Sequence, residues 1–149
     1  MSRESDTYLR HYRSCFGAPL LEEPFYGDGG SRISILSYDH LFSGARCFLS
    51  VGFCDHSNRT KSKAEVIVPI SPRDGDVSHI VASILWAISR DGLHFGRGVS
   101  ISGIHDMAPA FFERYSKGAL YFTDPKFMPA NTVLINGEEG MRLFMGVFI

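Results

Sequence analysis

The chain has 149 residues, 44% of them hydrophobic and 21% charged, which is the size and composition of one ordinary globular domain. Its formal net charge of -1 argues against nucleic acid as the main partner, because phosphate neutralisation usually requires a basic surface. The longest apolar run, Ile80–Ile88, is too short to cross a bilayer, which takes about 18 residues or more. We therefore expect a single domain over residues 1–149, without a nucleic acid or a membrane as its partner.

The N-terminal segment and the cysteines predict a cytoplasmic protein. MSRESDTYLRHYRSCF lacks the apolar region of a secretory signal. The cysteines are Cys15, Cys47 and Cys54, and an odd number without a signal favours free thiols over a disulfide framework.

The first segment predicts an amphipathic helix. Its apolar residues recur at helical spacing, at Tyr8, Leu9, Tyr12, Cys15 and Phe16. Ser5 or Asp6 is the expected N-cap, and Gly17 is expected to end the helix. The next segment, GAPLLEEPFYGDGGS, contains two prolines and four glycines, so we predict a loop there.

Three successive strands are predicted next, each followed or preceded by a polar turn. The first is RISILSY (Arg32–Tyr38), the second lies within ARCFLSVGFC, and the third is AEVIVPI (Ala64–Ile70). Short polar connections between strands are typical of an antiparallel meander.

The middle strand alternates in the manner of a half-buried strand. Its predicted apolar face comprises Ala45, Cys47, Leu49, Val51 and Phe53. The opposite face carries Arg46, Ser50 and Gly52, with Phe48 as an exception, so we expect that face to be mostly polar.

The clearest element is a helix from Asp76 to Arg90, with Asp76 as its expected N-cap and Gly92 as its end. Its apolar stripe comprises Val77, Ile80, Val81, Ile84, Leu85 and Ile88. A glycine-rich segment, a short helix in MAPAFFERYSKG and the strands ALYFT, NTVLI and RLFMGVFI follow. The order predicts an α+β fold: a mostly antiparallel sheet with one long central helix and one N-terminal helix packed on it.

The run Cys54-Asp55-His56 places a potential nucleophile, acid and base side by side. Catalytic triads are instead assembled from residues distant in sequence. Neighbouring residues of an extended chain point to opposite sides, so Asp55 cannot share a face with Cys54 and His56. We interpret Cys54 as a structural residue at a strand end and assign no catalytic residue. An enzyme that uses Cys54 or a histidine pair is the alternative.

The histidines match none of the usual metal-binding spacings, such as H-x-x-x-H or H-E-x-x-H. Three of them adjoin aspartates, in Asp39-His40, Asp55-His56 and His105-Asp106, so a composite zinc site is an open alternative. Polar turns commonly collect such residues, and we predict neither a metal nor a cofactor. The segment GLHFGRG likewise lacks the glycine spacing and the Lys-Ser/Thr of a phosphate loop.

The segment EEPFYGDGG combines carboxylates with aromatic residues on a predicted loop. Such a loop is suited to anchor a basic protein partner, although Pro24 and Phe25 could instead fold it over its own core. The candidate partner-binding residues are Glu22, Glu23, Phe25, Tyr26 and Asp28, with Asp74 and Asp76 as a second acidic group.

Between Ser31 and Ile149 the order of segments resembles the Suppressor of Fused-like domain family. The likeness is carried by RISILSYDHLFSGARCFLSVGF, by AEVIVPI before the long helix, by ISGI, and by ALYFT-DP with the closing GMRLFMGVFI. All of these are strands and turns, and none is a catalytic signature.

The resemblance implies a function, because single-domain bacterial members of this family are commonly immunity proteins of polymorphic toxin systems. It implies a non-enzymatic protein that binds a cognate toxin domain and occludes its active site or substrate groove. A regulatory scaffold that sequesters another protein is the alternative within the same family. The sequence leaves the toxin, the binding surface and the oligomeric state open.

Overall fold

The computed structural model describes residues 2–56, 63–71, 76–126, 128 and 141–149. The helices in these ranges are α1 (Arg3–Phe16), α2 (Val77–Asp91), α3 (Ile104–Met107) and α4 (Pro109–Tyr115). The strands are β1 (Leu21–Tyr26), β2 (Arg32–Tyr38), β3 (Arg46–Val51), β4 (Lys63–Ile70), β5 (Ser100–Ser102), β6 (Ala119–Thr123) and β7 (Met141–Phe148). The predicted strand NTVLI lies outside the described residues.

The strands form one sheet in the order β1-β2-β3-β4-β7-β6-β5. Every neighbouring pair is antiparallel except β4 and β7, which run parallel with Lys63 opposite Met141. The predicted α+β class, the mostly antiparallel sheet and the meander of β2, β3 and β4 are therefore confirmed. The expectation of one long central helix is not confirmed, because α2 has 15 residues and α1 has 14.

Helices cover both faces of this sheet. One core cluster joins α2 to residues such as Ile33, Phe48 and Val66, and a second joins Tyr8 and Tyr12 of α1 to the opposite face. The hydroxyl of Tyr12 donates a hydrogen bond to the Ser50 carbonyl oxygen at 2.9 Å. Because each face meets a helix, the central strands have no solvent-facing side.

The expectation that β3 is half-buried, with its polar side facing solvent, is consequently wrong. Phe48 is 2% exposed and Ser50 is fully buried. The strand also ends earlier than predicted, because Gly52 adopts a positive φ of 105° and starts the 3₁₀ turn Phe53–Asp55. A Cβ at Gly52 would lie 2.7 Å from the Arg32 carbonyl oxygen, so only glycine fits there. The turn sends Phe53 into the α2 cluster rather than to the α1 side.

The C-terminal ends of α1 and α2 were predicted correctly, whereas the predicted N-cap of α1 was not. Helix α1 starts at Arg3, and its N-cap is Ser2, whose hydroxyl accepts a hydrogen bond from the Ser5 amide. Ser5 and Asp6 are therefore in the first turn and do not cap it. Gly17 ends α1 as expected. Asp76 does precede α2, but its side chain makes no capping hydrogen bond.

The apolar stripe of α2 is confirmed, and Gly92 ends the helix in the left-handed region with φ 61°. All six predicted stripe residues are at most 2% exposed, and Ser78 and Ala82 are buried beside them. The expected short helix in MAPAFFERYSKG is confirmed as α4, and α3 directly precedes it, sharing only Met107 with that segment. Within the described residues, no helix is long and apolar enough to span a membrane.

The predicted loop EEPFYGDGG is the largest error, because its first half is strand β1. This strand lies at one end of the sheet and pairs with β2 from Leu21 opposite Ser37 to Tyr26 opposite Arg32. An edge strand tolerates Pro24, which has no backbone N–H to donate, because one side of the strand makes no ladder. In the sequence Pro24 indicated a loop, whereas in the structure it lies in an edge strand.

Candidate functional site

A buried carboxylate organises the turn that follows β3. Glu65 lies on β4, the central strand of the sheet, and its side chain is fully buried. Its Oε1 accepts hydrogen bonds from the Ser50 hydroxyl at 2.7 Å and the Phe53 amide at 3.1 Å. Its Oε2 accepts from the amides of Gly52 at 3.0 Å and Cys54 at 2.9 Å. One side chain thus satisfies three successive backbone donors at the start of the turn, while the Asp55 and His56 amides donate to the Gly52 and Phe53 carbonyl oxygens.

Two opposing effects act on the pKa of Glu65. Burial raises it, and the donors from Cys54, Ser50 and Gly52 act in the lowering direction. The Ser50 oxygen itself accepts a hydrogen bond from the Val66 amide at 2.9 Å, which leaves its own proton for Glu65. Burial is the larger effect, so the pKa of Glu65 lies above its usual range, and each of the two oxygens accepts two hydrogen bonds. In the sequence, the only sign of this role is a glutamate inside the apolar run AEVIVPI.

The three residues of the Cys54-Asp55-His56 run have separate environments. Cys54 is 1% exposed, and burial, followed by the charge of Glu65, raises the pKa of its thiol. Asp55 accepts hydrogen bonds from the hydroxyls of Ser2 and, at 2.7 Å, Ser5, so it joins the turn to the start of α1. His56 lies against Trp86 of α2, with ring centroids 4.9 Å apart. This arrangement does not activate Cys54 as a nucleophile, since a reactive thiol needs a lowered pKa.

We expect iodoacetamide to label the native protein slowly at Cys54 near neutral pH. Burial raises the pKa of Cys47 to about 12 as well, whereas Cys15 is only partly buried. Mass spectrometry of a labelling time course should therefore show Cys15 modified first, with Cys47 and Cys54 modified much more slowly in the native than in the denatured protein. Equal labelling rates for Cys54 in the native and denatured protein would contradict its structural role. Cys54→Ser should also leave any biological activity within a few-fold.

The same turn forms one wall of a surface groove. We call the groove between the end of β1 and α2 the aromatic groove, and its volume is about 530 Å³. It is lined by Tyr26, Gly27, Asp28, Asp55, His56, Ser83, Trp86, Ser89 and Arg90. A second recess of about 520 Å³ shares Tyr26, Asp55 and His56 with it and extends towards Ser2 and Arg32. Asp55 and His56, at the end of the turn after β3, thus line both recesses.

Gly27 sets the width of the aromatic groove beside Trp86. A Cβ at Gly27 would lie 2.8 to 3.0 Å from three carbon atoms of the indole ring. The glycine lets the chain after β1 approach the tryptophan closely, and it turns the chain into the 3₁₀ turn Asp28–Gly30. Tyr26, at the end of β1, is 67% exposed at the opening. The groove therefore brings together two segments that are distant in the sequence, EEPFYGDGG and Cys54-Asp55-His56.

The structure distributes the predicted partner-binding residues over several places. Residues of β1 alternate, so Glu22 and Tyr26 are exposed, whereas Glu23 and Phe25 are half-buried. Phe25 packs against the α2 core, with its ring 5.8 Å from that of His79. Asp28 lies in the aromatic groove.

The structure supports the second predicted acidic group, Asp74 and Asp76, less well as a partner-binding site. Asp76 lies just before α2, and Asp74 is outside the described residues. The sequence named two groove residues, Tyr26 and Asp28, as partner-binding candidates, but it missed Trp86, which lies on α2 outside the predicted apolar stripe.

The Asp–His pairs lie apart from one another. Asp39 forms an ion pair with Arg46 at 2.9 Å, and His40 is hydrogen-bonded to the Phe16 carbonyl oxygen at 2.9 Å. His105 contacts its own neighbour Asp106 at 3.3 Å. Over the described part of the chain, no group of three or more His, Cys, Asp or Glu side chains is placed to hold a metal ion.

Comparison with known proteins identifies the fold. No protein-family model matches the chain, and no curated protein matches it at a significant level. A solved structure does match: that of a protein from Neisseria gonorrhoeae FA 1090 described, by homology, as a SUFU (suppressor of fused protein) homolog. The TM-score is 0.67 at 12% sequence identity, and the match covers 95% of this chain and 75% of that one. The chain therefore has a SUFU-like fold.

Proposed function

We propose that this chain is an immunity protein, which binds a cognate bacterial toxin domain and occludes its active site or substrate groove. The observation that carries the proposal is the exposed surface along the edge strand β1. Leu20 is 61% exposed, Leu21 52% and Tyr26 67%, and the exposed Glu22 lies between them. Exposed apolar and aromatic side chains next to carboxylates are the usual components of a protein interface.

The charge of this surface suits a basic partner. Toxins that attack nucleic acids or nucleotides present basic clefts to bind phosphate groups. Glu22, Glu23 and Asp28 would meet such a cleft with opposite charge and speed the association. Tyr26 would supply contact area, because tyrosine is enriched among the residues that dominate binding energies. An inhibitor of this kind needs a surface rather than a catalytic constellation.

The SUFU-like fold and the thiols support the same proposal. The resemblance to the Suppressor of Fused-like family implies a protein-binding role. The resemblance to its single-domain bacterial members, which are commonly immunity proteins, implies binding to a toxin. The raised thiol pKa values of Cys47 and Cys54 favour a binding protein over a cysteine-dependent enzyme.

We expect the combined change Glu22→Ala, Glu23→Ala and Tyr26→Ala to weaken the toxin complex by about 2 kcal/mol or more, the scale of an interface hot spot. The toxin candidate is the product of the adjacent gene, captured by pull-down with the wild-type chain. Isothermal titration calorimetry then gives the affinity of each variant. The three side chains lie on the edge strand, where truncation leaves the core intact.

Two exposed acidic residues elsewhere provide the control. Asp106 on α3 and Glu113 on α4 are both exposed, and their change to alanine should leave the affinity unchanged. If the triple variant folds and binds as well as wild type, the edge of β1 is not the interface. If the wild-type chain captures no neighbouring gene product and protects no cell that expresses it, the immunity proposal itself is wrong.

A further inference from the structure

We propose that the aromatic groove receives an arginine side chain of the partner protein. This inference rests on the proposed function, because it names the chemical group that the partner inserts beside the edge strand. It adds a specific subsite, formed by Tyr26, Asp28 and Trp86, to the proposed interface along the edge strand β1.

The charges that line the groove leave one carboxylate available. Arg90 is engaged with Asp91, with Nε to Oδ1 at 3.0 Å and a second contact at 3.3 Å. Asp55 is engaged with the hydroxyls at the start of α1. Asp28 is exposed, and among the described residues no side-chain hydrogen bond involves it. Its charge interacts with that of Arg90, whose guanidinium is hydrogen-bonded to Asp91. The groove therefore offers negative charge to an incoming group, which selects a cation.

The walls favour a planar cation. Tyr26 lines the groove from the end of β1, Trp86 from α2 and His56 from the end of the turn after β3, with the His56 and Trp86 rings 4.9 Å apart. A cation near the face of a tryptophan or tyrosine ring is attracted by the ring quadrupole. A guanidinium group stacks on such rings and still donates paired hydrogen bonds to a carboxylate, whereas an ammonium group does not stack.

The space fits a side chain with its flanking backbone. A volume of about 530 Å³ lies within the range of sites that hold ligands of a few hundred daltons. Ser83 and Ser89 on α2 add polar groups along the floor of the groove. An arginine within a short extended segment would fill the groove more completely than a lone ion.

The test uses the intrinsic fluorescence of the protein, because Trp86 is the single tryptophan of the chain. The probe is the peptide acetyl-Gly-Arg-Gly-amide, titrated into the full chain at low ionic strength. We expect a saturable change in Trp86 emission, with a dissociation constant in the millimolar range appropriate to one side chain. The same peptide with citrulline, which has a similar shape but no charge, should cause no saturable change. The lysine peptide should bind several-fold more weakly.

Substitutions in the groove test which residues contact the arginine side chain of the peptide. Asp28→Asn keeps the shape of the side chain and should weaken arginine binding about tenfold, since a charge-assisted hydrogen bond contributes about 1.5–3 kcal/mol. Tyr26→Ala should also weaken it. Asp106→Asn, at an exposed aspartate away from the groove, should change nothing.

Three results would overturn the proposal. One is equal binding of the arginine and citrulline peptides, and another is full binding by Asp28→Asn. The third is an emission change with inorganic phosphate but not with the arginine peptide, which would make the groove an anion site. The assay contains no toxin, so its failure is distinct from failure of the pull-down that tests the proposed function.

Discussion

Glu65→Ala is expected to lower the free energy of unfolding by about 3 kcal/mol or more. The change removes the acceptor for the buried amides of Gly52, Phe53 and Cys54. A buried donor left without a partner costs about 1–3 kcal/mol, so three such donors account for the loss. This is a large share of the about 5–15 kcal/mol that stabilises a typical domain. Urea denaturation followed by circular dichroism measures the change as a lower midpoint.

A second variant keeps the Glu65 prediction testable if the alanine variant does not fold. Glu65→Gln preserves the shape of the side chain but turns one oxygen into an NH₂ donor that faces backbone donors. We expect it to be destabilised as well, by less than Glu65→Ala. Glu113→Ala, at an exposed position on α4, should stay within about 0.5 kcal/mol of wild type. Unchanged midpoints for both Glu65 variants would show that the carboxylate does not support the turn.

The role of Glu65 connects the core to the candidate site. The turn Phe53–Asp55 carries Asp55 and then His56 into the aromatic groove. Because Glu65 fixes the amides of that turn, it also fixes where His56 meets Trp86. We therefore expect Glu65→Gln to alter the emission of Trp86 even under conditions where the protein remains folded.

Ile84→Ala is expected to cost about 2–5 kcal/mol of stability, the range measured when a large aliphatic side chain is removed from a core. Ile84 is fully buried on α2 and belongs to the cluster that joins the helix to the sheet. The loss combines the removed apolar contact area with the cavity left between helix and strands. Urea denaturation should show a lower midpoint with a similar dependence on denaturant concentration.

The neighbouring position is the matched control for Ile84. Ser83 is half-buried and lines the aromatic groove instead of the core. Ser83→Ala introduces a good helix former and removes no core side chain. It should leave the midpoint near that of wild type. An Ile84→Ala midpoint equal to that of wild type would mean that α2 does not pack on the sheet through this face.

The elements that the sequence predicted correctly are those whose signal is local. The stripe of α2 depends on spacing along one helix, and its six residues are all buried as expected. Strands β2, β3 and β4 follow from runs of apolar and β-branched residues between short turns. Their antiparallel pairing follows from connections too short for a crossover.

The errors occur where a distant part of the chain decides the outcome. Pro24 and the nearby glycines indicate a loop, but pairing with β2 extends the segment into a strand. Ser50 reads as solvent-facing, but α2 and α1 cover both faces of the sheet, and Glu65 supplies its hydrogen bond. A side chain that is satisfied by a partner fifteen residues away looks the same in sequence as one satisfied by water.

The sequence by itself determined the α+β class, the central meander and the apolar face of α2, because periodicity and turn composition act over a few neighbouring residues. Only the tertiary structure decided that β7 joins β4 in parallel, that Glu65 is buried among backbone donors, and that Asp28 lies in a groove beside Trp86. The physical reason is that chain folding brings together groups that are remote in sequence. Burial and hydrogen-bond satisfaction depend on those remote neighbours, whereas helix and strand periodicity does not.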